Sequence, residues 1–387
     1  MKLQNFDSII KFIQKNGSNR SMITKKSSGF EKNFLECLES CNDKQIVHIL
    51  LEMSKYTNFK YILRNNSVNL SENQMKYAFE ITQEMSCEER YNSLKAIIES
   101  SFGYYSEARF LDNLISYGET EYISNNLEQI IKLVPIKQLI SKKSYLSKLK
   151  EINPEKFVSS HSLIVSKIAS HAAYNKKNTI DAKTVNALSL IFDEIAENED
   201  TDLSKIQFLK SGHFSQAYKL GNKVIKLGRP KFTYKIPYHK RLLQPLIRRD
   251  ILPENLYIEI TEYLKPGKPI TEEDVYSVYK SLRDDGILWL DPSPENLARL
   301  EKDNIIHFKY KLNVEDESLG YVPSNSKKDQ VLSKGDLVVI DLDFLVKEND
   351  KETFDKASKS INTNAYQKYE RRYQKEKKEE KSKEFEI

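Results

Sequence analysis

Helical periodicity runs through the first 200 residues of this 387-residue chain and then gives way to short alternating runs. That switch constrains the fold more than any motif, because a 3.6-residue pattern cannot lie flat as a strand. Residues 120–133 set Ile123, Leu127, Ile130 and Ile131 on one stripe of an amphipathic helix. Ser71 with Gln74 and Ser86 with Glu89 are capping boxes, and the second opens a run carrying Tyr91, Leu94, Ile97 and Ile98. Asn42 precedes Ile46, Ile49, Leu50 and Met53 in the same manner. Turns at Tyr117-Gly118 and Asn153-Pro154 separate segments in which Pro and Gly are otherwise sparse. Packed helix hairpins are expected here, and no repeated motif marks a solenoid.

The acidic stretch from Glu197 to Asp202 ends this pattern and is the expected domain boundary. Beyond it, residues 206–210, 216–220, 223–227 and 256–264 alternate as strands, with Gly221-Asn222 as a tight hairpin turn. A helix is expected over 271–284, with Val275, Val278, Tyr279 and Leu282 on one face, and a strand over 337–340. The charge run from Tyr366 onward predicts a solvated or fraying helix. The fold class is therefore α+β: an all-α interaction domain over 1–200, a mixed domain over 203–350, and a charged helix or tail over 351–387.

Composition removes several classes of function. With 61 Lys plus Arg against 56 Asp plus Glu, the net charge of +5 does not call for nucleic acid as a partner. No window approaches the ~18 uninterrupted apolar residues of a membrane span. The first twenty residues lack the apolar core and small-residue cleavage site of a secretory signal. Cys37, Cys41 and Cys87 are odd in number and have no His at metal spacing, which fits a reducing, cytoplasmic setting.

Three later segments carry chemistry. In the first, Gly212 and Phe214 sit in a turn between strand-like runs, and Lys226 follows on the next run. A glycine there lets backbone amides approach phosphate oxygens, and a lysine adds a point charge. In the second, Asp291 precedes Asn296 by five residues across Pro292 and Pro294. Such an Asp can orient a hydroxyl and take its proton while the Asn carboxamide holds a metal. In the third, the apolar run 337–340 ends at Asp341, with Asp343 two residues on. A carboxylate so placed suits Mg²⁺. Each segment alone is an ordinary hairpin, Asx loop or strand end.

In this order the three resemble the protein kinase superfamily, over about residues 205–350. Asp291-Pro-Ser-Pro-Glu-Asn296 looks like the family's Asp-Leu-Lys-Pro-Glu-Asn, and Phe214 falls at the loop-tip aromatic. Glu262-Tyr263-Leu264 looks like the hinge after the gatekeeper strand. The resemblance implies a minimal bilobal kinase-like domain, akin to those among bacterial secreted effectors. It also implies ATP and Mg²⁺ as cofactors and a Ser/Thr protein kinase activity on a protein partner recognised by the helical domain. An effector of that type would be delivered into a host cell. It gives Asp291 and Lys226 catalytic roles, Gly212, Phe214, Lys226, Glu262 and Leu264 nucleotide contacts, and Asn296 and Asp341 the metal, with Asp343 as the alternative ligand.

The departures keep other readings open. Lys210 and Ser215 stand at two loop-glycine positions, Trp289-Leu290 replaces His-Arg, and Asp341-Leu-Asp343 replaces Asp-Phe-Gly. No helix glutamate is evident for Lys226, and Glu254 and Glu259 are poor substitutes on spacing. After the hinge there is room for one helix, and residues 302–335 form an insertion, expected as a hairpin. A non-catalytic scaffold with a pseudokinase domain, a non-protein acceptor, and AMP transfer are the alternatives.

Overall fold

The structure, a computed structural model, describes residues 6–16, 36, 38–56, 70–102, 107–116, 120–141, 145–173, 180–212, 215–228, 242, 246–264, 268–301, 303–306 and 330–384. The fold is α+β, with fifteen α-helices among the described residues, mainly N-terminal, and a five-stranded antiparallel sheet. The chain forms two compact units, Met1–Ile164 and Val165–Ile387. No described helix is long and apolar enough to cross a membrane.

Among the described residues the first unit is wholly helical. It contains α1 (Phe6–Asn16), α2 (Asp43–Ser54), α3 (Glu72–Ile81), α4 (Cys87–Phe102), α5 (Glu107–Ser116), α6 (Thr120–Asn125), α7 (Leu127–Leu133), α8 (Ile136–Leu139), α9 (Tyr145–Ile152) and α10 (Pro154–Ser159). Asn42 with Gln45 and Ser71 with Gln74 form reciprocal capping boxes, and Ser86 exchanges bonds with Glu89. These side chains satisfy amides that the first helical turn leaves unpaired. The single helix expected over 120–133 is two helices, because Asn126 departs from helical backbone at ψ 17°. Its stripe survives the break, since Ile123, Leu127, Ile130 and Ile131 are all buried. Arg90 is buried as well: it donates to the Phe79 carbonyl at 2.7 Å and Thr82 Oγ1 at 3.2 Å, under the Tyr122 ring.

Helix α11 (His161–Ala172) spans the division, which does not fall at the acidic connector 197–203. The reason lies at the end of α12 (Ala182–Asn198). Glu199 reaches Lys223 Nζ at 2.6 Å and accepts the Asn222 N–H at 3.0 Å, so the connector caps the Gly221-Asn222 hairpin instead of linking domains.

The sheet runs β1-β2-β3-β5-β4, from β1 (Gln207–Ser211), β2 (Ser215–Leu220), β3 (Lys223–Gly228), β4 (Leu246–Leu252) and β5 (Leu256–Glu262). Helix α13 (Glu272–Asp284) follows, capped by Thr271 and Asp274. Then β6 (Ile287–Trp289), β7 (Leu297–Arg299), β8 (Asn304–Ile306), β9 (Gln330–Leu332), β10 (Leu337–Val339) and β11 (Leu345–Lys347) pair as β6 with β11, β7 with β10 and β8 with β9. The β8–β9 ladder lies in the insertion where a hairpin is expected; residues 307–329 lie outside the described set.

The chain ends in α14 (Lys351–Ser358) and α15 (Asn364–Glu384). The charged tail is a helix, yet it is more than a solvated one. Tyr369 and Tyr373 bury beside Val275, Tyr276, Tyr279 and Leu282 of α13, and Glu370 accepts two bonds from Arg283. Aromatic residues at i and i+4 give this hydrophilic sequence one core face.

Candidate active site

Alternation along β3 sends Lys223 and Lys226 to opposite faces of the sheet. Lys223 bonds Glu262 at 2.7 Å and Glu199. The Glu262 side chain therefore lies on the face away from Lys226, and only its backbone remains for a hinge role. Lys226 stands directly opposite Glu259 of β5, which stands opposite Arg249 of β4.

Lys226 Nζ lies 3.0 Å from Asp341 Oδ1, 3.5 Å from Glu259 Oε1 and 3.2 Å from the Ile340 carbonyl. Burial pushes its pKa down, but the Asp341 and Glu259 charges prevail and hold it above that of an ordinary lysine. Glu259, judged unsuitable on spacing, is thus a carboxylate partner of Lys226, and it comes from a strand and not a helix. It is only 1% exposed and needs further partners. Tyr257 Oη donates to its Oε2 at 2.5 Å, Arg249 Nη2 lies 3.4 Å from the same oxygen, and Arg249 Nε donates to Tyr257 Oη at 2.6 Å.

Past the end of β10, the Ile340 N–H bonds the Asn296 carbonyl at 2.9 Å, tying the two loops together. Asn296 Nδ2 donates to the Asp291 carbonyl at 3.0 Å and to its carboxylate at 3.1 Å. Burial raises the Asp291 pKa, and the Asn296 bond only partly offsets it. Burial would also raise that of Asp341, but Lys226 draws it below the usual range. Asp343 is pushed up to about 7 by burial and by the Asp341 and Glu259 charges, despite Arg249 Nη2 at 3.5 Å.

Asn296 Oδ1 and Asp341 Oδ2 accept no hydrogen bond from the described residues. Two hard oxygens of this kind would suit Mg²⁺, an ion that takes only one or two protein ligands. Among the described residues no group of three or more His, Cys, Asp or Glu could hold a metal alone.

Apolar packing carries the loop that holds Asp291. Trp289 is fully buried against α13, and Leu290 packs with Phe344 and Val346 and bonds the Phe344 carbonyl at 3.0 Å. Gly212 donates its own N–H to the Ser215 carbonyl at 2.7 Å, so that amide is turned into the loop. Phe214 lies outside the described residues. Leu264 is buried against Leu300, Leu332 and Val338. Arg249 and Tyr257 escaped the sequence reading; alternation puts Tyr257 and Glu259 on one face, but only strand register identifies it as that of Lys226. The chain matches no protein-family model, no curated protein and no solved structure.

Proposed function

We propose that the second unit is an ATP- and Mg²⁺-dependent phosphotransferase, a Ser/Thr protein kinase in its simplest reading, whose partner is recognised by the helical region. One observation carries this: Lys226 and Asp341, 115 residues apart, meet at 3.0 Å beside a loop in which Asn296 fixes Asp291. Lys226 would grip the phosphates as a point charge. Asn296 and Asp341 would hold Mg²⁺, which supplies neutralisation of phosphate charge. Asp291 would orient the acceptor hydroxyl and take its proton; its raised pKa moves it toward the operating range of a general base.

A second reading has one observation in its favour. Lys226 Nζ already donates to the Asp341 carboxylate and the Ile340 carbonyl, with Glu259 Oε1 3.5 Å away, so phosphate must compete with acceptors of the chain itself. A pseudokinase scaffold would keep that set closed.

Purified full-length protein with labelled ATP and Mg²⁺ separates the two. Label is expected on the protein itself or on a generic substrate. Asp291→Ala should lower turnover by roughly a hundredfold to ten-thousandfold while leaving ATP affinity within about twofold. Nucleotide binding without any Asp291-dependent transfer would replace the kinase by the scaffold.

A further inference from the structure

Five residues form one row across all five strands. Lys210 of β1 stands opposite Ala217 of β2, Ala217 opposite Lys226 of β3, Lys226 opposite Glu259 of β5, and Glu259 opposite Arg249 of β4. Directly opposed residues share a sheet face. Lys210 belongs to the row only because the register of β1 slips between Phe208 and Lys210. Without that bulge Leu209 would face Ala217, and the row would end in an apolar side chain.

The other cations of the row are engaged: Lys226 by Asp341 and Glu259, Arg249 by Glu259, Tyr257 and Asp343. Lys210 is exposed and has no hydrogen bond or ion pair with any described residue. It nevertheless lies within electrostatic reach of the site. After burial, which is the largest influence on both carboxyls, the Lys210 charge draws Asp291 and Asp341 down together. Two strand spacings, about 10 Å, separate the backbones of Lys210 and Lys226. Between them the row holds only the methyl group of Ala217.

We propose that Lys210 is a second phosphate-binding cation, closing on the outer phosphates of a nucleoside triphosphate whose inner phosphates Lys226 holds. The turn beside it has one glycine, and the Gly212 amide already bonds Ser215. A charge on a flexible stem thus takes over what a ring of loop amides would otherwise do. The inference rests on the nucleotide-binding reading above and adds a residue to it.

The test uses full-length protein and calorimetry with ATP, ADP and AMP in Mg²⁺. Lys210→Ala should weaken ATP about tenfold, the scale of one exposed charge-assisted contact, and leave AMP unchanged. Lys210→Arg should restore most of the loss. The backbone role of a bulge alone would not distinguish ATP from AMP. If Lys210→Ala binds ATP within twofold of the parent while Lys226→Ala loses it, the second cation is refuted and the nucleotide site stands. If the parent binds no nucleotide, or Lys226→Ala binds ATP normally, both are refuted.

Discussion

Arg90 in the helical unit and Lys226 in the sheet unit are both buried cations, and their partners differ in kind. Arg90 donates to a carbonyl and a hydroxyl 11 and 8 residues away and lies under an aromatic face. It closes the end of α3 onto α4. Lys226 meets carboxylates on β5 and beyond β10, one of them 115 residues away, and Asp341 keeps an oxygen open. Local neutral partners make a staple. Distant ionised partners that remain unsaturated make a site, since such a charge cluster gains little stability by itself.

Replacing each cation by Met should break that comparison open. Lys226→Met leaves Glu259 buried beside Asp341 and is expected to cost the second unit about 3 kcal/mol. Adding Glu259→Gln should recover most of it. Arg90→Met leaves the Phe79 carbonyl with the Thr82 hydroxyl, at 3.1 Å, and is expected to cost only about 1 kcal/mol. Trp289, the only tryptophan, is buried in the second unit, so its fluorescence during urea unfolding follows that unit. Far-UV circular dichroism weights the helices. A double variant no more stable than Lys226→Met would show that Lys226 is held by packing and not by charge.

How much of this was legible in the sequence follows the same line between local and distant. Capping boxes at Asn42, Ser71 and Ser86 are local, and the helices start at them. The strand runs around Gly221 and the helix beginning after Thr271 also stand as expected. β4 did not, because Arg248, Arg249 and Asp250 dilute its apolar pattern, and the partners of Arg249, Glu259 and Asp343, are supplied only by the tertiary fold. Glu259 was discounted for the same reason. Its pairing with Lys226 is a matter of register between β3 and β5, and register is set by the sheet as a whole. The acidity of the connector resembles a linker in the sequence, whereas its Glu199 pairs with Lys223 of the sheet.

Gly221→Ala measures how firmly that connector belongs to the sheet. Gly221 has φ +58°, and a Cβ there would lie 2.6 Å from Glu199 Cβ. Alanine in this region costs about 1 kcal/mol for its backbone alone, and displacing Glu199 adds a comparable amount, for about 2 kcal/mol in all. Gly286→Ala is the control: φ is +72°, but the nearest atom is 3.9 Å away, so only the backbone cost of about 1 kcal/mol applies. Equal losses at the two positions would mean that Glu199 yields freely, and the connector would again behave as a linker.

The smallest effect is set by pH. Asp274 lies at about 2 because Arg299 bonds its carboxylate, with help from the Thr271 amide and hydroxyl. An unfolded Asp titrates near 3.9, so between about pH 4 and 2 the unfolded chain binds the extra proton. Stability from this group is therefore complete above pH 4 and falls away as pH drops toward 2. With the Asp274 side chain 19% exposed, screening leaves a contribution on the order of 1 kcal/mol or less. Glu370, whose pKa burial would raise but Arg283 holds down, acts in the same direction. The urea midpoint followed at Trp289 should drop between pH 6 and pH 3, and Asp274→Asn should flatten part of that drop. Arg299 sits on β7, paired with β10, so this ion pair anchors the strand that leads to Asp341. An unchanged slope in Asp274→Asn would mean that the strand pair is held by its apolar side chains alone.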